Sequence, residues 1–356
     1  TLRLVGNVNR EALHSTFKAI MERHSVLRTG FTTNTLGHPV QRVMPFKTLP
    51  FTEITLDTND PKRAWKEAAN LIETEATDPF DLEEGPLWRI TWIQTQSTHF
   101  EVDDQIWIMG ETSSPEASSK EESLLVLTFH HSAYDGVSLE RLFQEIEALY
   151  REAIQAPMQR SLRDLSCQYI DFSKWQRDWH ENGGLQDQLG YWKNKLEDHV
   201  GKLEFPTDHP RPATQSYRGG SVYFRLDRDL RNKLEIYCKE RQLTPYTVTF
   251  AAFQILLARY SKQTDIPIGT LINNRRLKEF DALLGMFVNT IVIRGDWSGN
   301  PSFNEGIQRF SVVLEEAIAN QDAPFELLVE ELHLERSLSH QPIFQIMFAM
   351  HNARVT

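Results

Sequence analysis

Two histidines, His130 and His131, stand side by side and are followed by Ser132, Ala133, Tyr134, Asp135 and Gly136. An imidazole held in a tight loop can take or give a proton near neutral pH. Neighbouring residues on extended backbone point opposite ways, so only one histidine of the pair can enter a given cleft. Asp135, four residues beyond His131, could orient the loop as a fixed carboxylate, with an arginine partner holding it ionised. Gly136 would let backbone N–H groups approach a ligand at a helix start, where a developing oxyanion is favoured. With 12 histidines in the chain, a bare pair arises by chance in roughly four such sequences in ten, and it is usually structural. Requiring the aspartate and glycine at their spacing lowers the chance to on the order of one in a thousand, so the weight lies on the whole string.

The elements that must position this string are legible around it. Residues 124–129 form a short apolar run typical of a buried strand and lead directly into the histidines. Beyond them Ser138 is placed to cap a helix with Leu139, Leu142, Phe143, Ile146, Leu149 and Tyr150 on one face and Glu140, Arg141 and Glu145 off it. The histidines therefore occupy a strand-to-helix loop. Upstream, a strand at the start is followed by a helix capped by Asn9, with Leu13, Phe17, Ile20 and Met21 at helical spacing, and extended structure resumes over 26–31. A second amphipathic helix is expected over 64–76 and a strand over 87–94. Residues 99–122 read as a polar surface excursion without chemistry. The segment 156–214 ends in the proline-rich Phe205-Pro-Thr-Asp-His-Pro-Arg-Pro212, which cannot be regular helix, and it is read as the crossing between two lobes. After it, helices are expected over 230–241 and 246–260, the latter with Thr244 as cap and Pro245 in its first turn. A strand over 266–271, a helix capped by Ser302, and a strand-like run over 343–350 follow. Asp322 with Pro324 reads as one more helix entry.

At 356 residues the chain exceeds the size at which one hydrophobic core stops growing, and 40% hydrophobic residues with 20 Phe and 8 Trp argue for packed cores. Two lobes of mixed α and β are expected, residues 1–178 with the histidine loop and residues 179–356. The net charge of -11 disfavours nucleic acid as a partner. Cys167 and Cys238 are too few and too far apart for a disulfide framework or a zinc knuckle, so no metal is expected. No apolar run suits a membrane span and no signal peptide opens the sequence, which makes a cytoplasmic location the default.

The string His130-His131-Ser-Ala-Tyr-Asp135-Gly136-Val-Ser resembles the signature of condensation domains of nonribosomal peptide synthetases, and further motifs of that family follow in order. Arg23-His24-Ser-Val-Leu-Arg28-Thr29-Gly-Phe31 is similar to the upstream arginine motif, and Tyr169-Ile-Asp171-Phe-Ser-Lys-Trp175 to the motif between lobes. Leu284-Gly285-Met-Phe287-Val288-Asn289-Thr290 with Arg294, then Asn320-Gln321-Asp322-Ala-Pro324-Phe325-Glu326, then Arg336-Ser-Leu-Ser339-His-Gln-Pro342, complete the series. The match spans nearly the whole chain. The family's earliest motif and its terminal strands are absent, so the chain is expected to be truncated at both ends. Val137 stands where many members carry Trp.

The resemblance implies an α/β fold of α+β two-layer sandwiches, two chloramphenicol-acetyltransferase-like lobes arranged in a V with a tunnel between them. His131 would lie midway along the tunnel as base or amine-positioning group, His130 would shape the loop, and Gly136 would line the tunnel. Arg28 would pair with Asp135 beneath the loop. Ser138, Asn289 and Arg294 are the further candidates for the tunnel. The implied reaction joins a carrier-bound acyl or peptidyl thioester to a carrier-bound aminoacyl group through an amide bond. No cofactor is bound directly; the 4'-phosphopantetheine arms belong to partner carrier domains, and an adjoining adenylation domain is the other expected partner. Arg211, Arg218 and Arg336 are candidates for carrier contact. The rival readings are an epimerisation domain, a free-standing acyltransferase using coenzyme A, and a non-catalytic recruitment module; such modules usually lose the second histidine, retained here as His131.

Overall fold

The computed structural model describes residues 1–96, 99–101, 121–155, 162–198, 203–333, 337–341 and 343–350. These fall into two compact units, one of Thr1–Arg177 with Arg275–Phe287, the other of Asp178–Asn274 with the described part of Val288–Asn352.

The first unit runs β1 (Leu2–Val5), α1 (Arg10–Arg23), a 3-10 turn (Ser25–Arg28), β2 (Thr29–Thr33), β3 (Pro39–Val43), β4 (Phe51–Leu56), α2 (Pro61–Thr77), β5 (Trp88–Thr95), β6 (Glu122–Phe129), a 3-10 turn (His131–Ala133) and α3 (Gly136–Gln155). Helix α4 (Tyr169–Glu181) follows and crosses the unit boundary at Arg177. Asn9 caps α1 as expected, accepting the Ala12 N–H at 2.9 Å. The main sheet has the order β1-β6-β5-β4, parallel between β4 and β5 and antiparallel elsewhere, while β2 and β3 form a separate ribbon. Strand alternation decides which helix covers which face. Ile90, Trp92 and Leu125 pack with Phe17 and Ile20 of α1 and Leu142 of α3. Ile93, Leu124 and Val126 pack with Ala64, Trp65 and Ala68 of α2. Both faces of β5 and β6 are thus buried. The polar excursion read over 99–122 lies largely outside the described residues, which omit 102–120.

Glu145 departs from the expected pattern. It is 6% exposed and not on a solvent face, because the end of α1 brings two bases to it. His24 Nε2 lies 2.7 Å from one carboxylate oxygen and Arg23 Nε donates to the other at 3.0 Å. Burial alone would push the Glu145 carboxyl up, but His24 and Arg23 together outweigh it and hold the group below the usual carboxylate value. A depressed folded-state pKa means stability that is present above the unfolded value and lost as pH falls through the folded one. Glu145→Gln is therefore expected to cost about 1–3 kcal/mol at neutral pH. In urea titrations the gap from the wild type should shrink on acidification; a gap independent of pH would refute the charge pairing.

The second unit holds α5 (Gln186–Leu196), α6 (Arg228–Arg241), α7 (Pro245–Ser261), β7 (Asp265–Ile272), β8 (Asn289–Asp296), α8 (Phe303–Ala319), α9 (Phe325–Glu331) and β9 (Met347–Phe348). Thr244 caps α7 with Pro245 in the first turn, and Ser302 with Glu305 forms a capping box on α8. Trp192, Phe250, Ile268, Ile293 and Phe310 are fully or almost fully buried in one core. The sheet has the order β8-β7-β9. The apolar run over 343–350 pairs only at Met347 and Phe348, because Phe344 first lays its ring across Gly269, where a Cβ would sit 2.5 Å from it. Within the segment read as a crossing, α4 and α5 are regular helices, and the proline-rich end has none. Residues 156–161 and 199–202 of it are outside the described residues.

Candidate active site

The His130 N–H donates to Leu87 O at 2.9 Å, extending the pairing of β6 with β5 by one residue beyond the Trp88–Phe129 pair. The chain then turns: Ala133 N–H donates to His130 O at 2.9 Å, and Ala133 is fully buried. The two histidines differ in their surroundings. His130 is half-buried, with Nδ1 2.7 Å from Ser132 Oγ and accepting the Ser132 N–H at 3.3 Å, while Phe80 meets its ring edge-on at 6.1 Å. His131 is exposed.

Asp135 is 2% exposed and saturated with donors. One oxygen accepts from Ser138 N at 2.7 Å and from Arg275 Nη2 at 3.1 Å; the other accepts from Phe287 N at 3.0 Å. Its carboxylate, not Ser138, thereby caps α3, which starts three residues earlier than expected, at Gly136. Ser138 is 1% exposed and lies inside the same network. Its hydroxyl is 2.8 Å from both Asp135 Oδ1 and Gly285 O, donating to one at a time, and accepts from Arg275 Nη2 and the Gly285 N–H. Ser138 thus serves the network beneath the loop.

The expected Arg28–Asp135 pair does not form. Helix α1 ends at Arg23 and leaves carbonyls without helical donors. Arg28 takes two of them, donating to Met21 O at 2.8 Å and Glu22 O at 3.4 Å, and reaches Met44 O at 2.6 Å. Asp135 is served by Arg275 instead. That guanidinium also donates to Phe280 O and Leu283 O at 2.6 and 2.8 Å and stacks 3.9 Å from the centre of the Phe287 ring. Burial pulls the Arg275 pKa below its usual value, and the Asp135 carboxylate opposes that pull. The sequence signal for Arg275 was only its place in Asn273-Asn274-Arg275-Arg276 after an apolar strand, which does not rank it above Arg28.

The motif around Gly285 is the other wall of this network. Tyr169 donates its hydroxyl to Met286 O at 2.7 Å, and burial, then Asp135, pushes its pKa up to about 12. A Cβ on Gly285 would stand 2.1 Å from the Tyr169 ring, so only glycine lets the backbone pass there. At Gly136, by contrast, a Cβ would meet nothing within 4 Å; the first residue of α3 keeps an open, exposed backbone.

Asn289 and Arg294 lie in the second unit, where both side chains are engaged in local structure. Arg294 pairs with Asp265 at 2.7 Å and donates to Lys195 O at 2.8 Å. Asn289 donates to Gln321 O and Ala323 O, both at 2.8 Å, and accepts the Phe325 N–H at 3.2 Å. Asn289 is thus the side-chain cap of α9, the role expected of Asp322, which instead accepts from Gln188 at 2.7 Å. Asn289→Ala should cost about 1–3 kcal/mol by leaving two buried carbonyls unpaired. Asn289→Asp should cost at least as much by facing them with negative charge. Urea unfolding of both variants checks the order. Arg336 and Pro342 of the last motif lie outside the described residues.

Paired α/β units with a histidine loop at a strand end define the chloramphenicol-acetyltransferase-like fold. Solved structures agree: the X-domain from teicoplanin biosynthesis superposes with a TM-score of 0.80 at 26% identity over 97% of this chain and 71% of that one. The condensation domain from monacolin K polyketide synthase MokA does so with 0.71 at 21% over 98% and 74%. The family described as Condensation domain matches residues 1–102 and 117–356, and the chain belongs to that family. Among curated relatives it is 37% identical over 99% of its length to a linear gramicidin synthase component of Brevibacillus parabrevis, and 36% identical over 98% to a chondramide synthase of Chondromyces crocatus. It spans only 6% and 8% of the length of those two proteins.

Proposed function

We propose that this chain joins two carrier-bound groups through an amide bond, with His131 as the group that handles the proton of the attacking amine. The observation that carries the reading is the division of labour in the loop: His131 is exposed at the end of a buried strand, while Asp135 is buried and saturated by Arg275, Ser138 and Phe287. Asp135 is a scaffold, and His131 is the imidazole left open to solution. The acceptor amine attacks the donor thioester carbonyl, forming a C–N bond and a tetrahedral oxyanion. The amine proton passes to His131 or is held by it during attack. Collapse breaks the C–S bond, and the thiolate leaving on the donor's phosphopantetheine arm takes up the proton given up by the amine. On this reading backbone N–H groups at the exposed start of α3, beside Gly136, stabilise the oxyanion. No acyl-enzyme and no directly bound cofactor is needed. The partners on this reading are donor and acceptor carrier domains and an adjoining adenylation domain. Among the described residues no helix is long and apolar enough to cross a membrane.

The test is single-turnover condensation with donor-loaded and acceptor-loaded carriers. Peptide formed only from carrier-bound substrates supports the reading. Equal turnover with coenzyme A thioesters would instead identify a free-standing acyltransferase, and deuterium exchange at the α-carbon without peptide formation would identify an epimerisation domain. A non-catalytic recruitment module is the second reading, favoured by the likeness to an X-domain whose complex with OxyB has been solved; carrier binding without product would establish it.

A further inference from the structure

Among the described residues no hydrogen bond or ion pair holds the His131 ring, and the group in contact with it is Tyr134, whose ring centroid lies 5.2 Å away at an interplanar angle of 23°. Tyr134 in turn meets Phe129 at 5.0 Å, Phe129 stacks on Trp88 at 5.7 Å and 27°, and Phe17 meets Trp88 edge-on at 5.9 Å. Phe17 and Trp88 are fully buried. An aromatic ladder therefore runs from the core of the first unit to the exposed imidazole. The backbone of Tyr134 is pinned on both sides, by the turn that buries Ala133 and by Asp135 locked to Arg275. An exposed imidazole without such a partner would spread over several staggered wells about χ1 and a broad χ2. A proton-transfer group must lie within hydrogen-bond reach of its proton, so each misplaced rotamer lowers the reactive population.

We propose that Tyr134 is the positioning residue of His131, selecting the reactive rotamer by offset stacking of its ring and not through its hydroxyl. The inference rests on the reading of His131 as the reacting imidazole. Offset aromatic pairs at this separation are favourable in their own right, and the open ring nitrogens of His131 remain available to substrate.

The experiment compares the wild type with Tyr134→Leu and Tyr134→Phe in the condensation assay and by proton NMR of the histidine rings, His131 being assigned through its loss in His131→Ala. Tyr134→Leu is expected to lower kcat by about 2- to 10-fold, the size of one aromatic pair, with the carrier KM unchanged, and Tyr134→Phe to restore kcat. In the wild type and in Tyr134→Phe the His131 ring protons should lie upfield of an exposed histidine, shifted by the Tyr134 ring current; in Tyr134→Leu they should return to the exposed position. His131 protons at the exposed position in the wild type would overturn the proposal whether or not Tyr134→Leu folds. So would a Tyr134→Phe variant as impaired as Tyr134→Leu, since the hydroxyl would then be the acting group. If His131→Ala itself condensed at the wild-type rate, the reading of His131 would fail while the ring-current shift still decided the stack.

Discussion

Arg275→Ala is expected to destabilise the first unit by about 3–5 kcal/mol, because it leaves the Asp135 carboxylate buried without its cation. Arg275 and Asp135 side chains are 1% and 3% exposed, so water cannot replace the lost partner. The carbonyls of Phe280 and Leu283 lose their donors in the same step. Arg275→Lys keeps the charge but cannot fork to two carbonyls, Asp135 and Ser138 at once, and should recover only part of the loss. Arg28→Ala should cost about 1–2 kcal/mol, the loss of hydrogen bonds from a partly solvated guanidinium to carbonyls. The decisive comparison is a pair of double-mutant cycles with Asp135→Asn, followed by urea unfolding. Coupling of about 1–3 kcal/mol is expected with Arg275→Ala, and additivity within about 0.5 kcal/mol with Arg28→Ala. The reverse pattern would restore Arg28 as the partner of Asp135.

His131→Ala is expected to leave stability nearly unchanged and to lower condensation by about 10²- to 10⁴-fold, the range of a positioned proton-transfer group. Both halves follow from exposure: the ring contributes little burial, and it is the open imidazole of the loop. His130→Ala should show a different signature. Its ring is anchored by Ser132 and touched by Phe80, so it should lose stability along with rate as the turn loosens. Single-turnover rates and thermal midpoints of the two variants separate these roles. A His131 variant that condenses normally would end the reading of His131 as the reacting group.

The local parts of this protein were legible because their causes are local. Asn9, Thr244 and Ser302 cap helices that begin where their apolar periodicity begins, and a cap needs only neighbours three residues away. The apolar run at 124–129 became the buried strand β6, and the histidine string fell on the strand-to-helix loop where its types and spacing placed it. The family followed from the same strings.

Four assignments needed the folded chain. Ser138 has the right side chain for a cap, yet Asp135 three residues earlier caps α3, since its carboxylate can accept from Ser138 N, Arg275 and Phe287 together. Glu145 lies among polar residues of its helix, yet it is buried because His24 and Arg23 arrive from more than a hundred positions upstream. Asn289 caps a helix that starts 36 residues later. The arginine that neutralises Asp135 is of the same kind: Arg28 and Arg275 carry the same charge and the same donors, and composition, periodicity and spacing treat them alike. What separates them is which carbonyls each finds within reach. Arg28 meets the free end of α1, and Arg275 enters the first unit on the segment Arg275–Phe287 that β7 and β8 bracket. Helices, strands and the histidine string are set by interactions over a few residues, which the sequence displays directly. A buried charge chooses its partner by the path of the whole chain, and only the tertiary structure supplies that path.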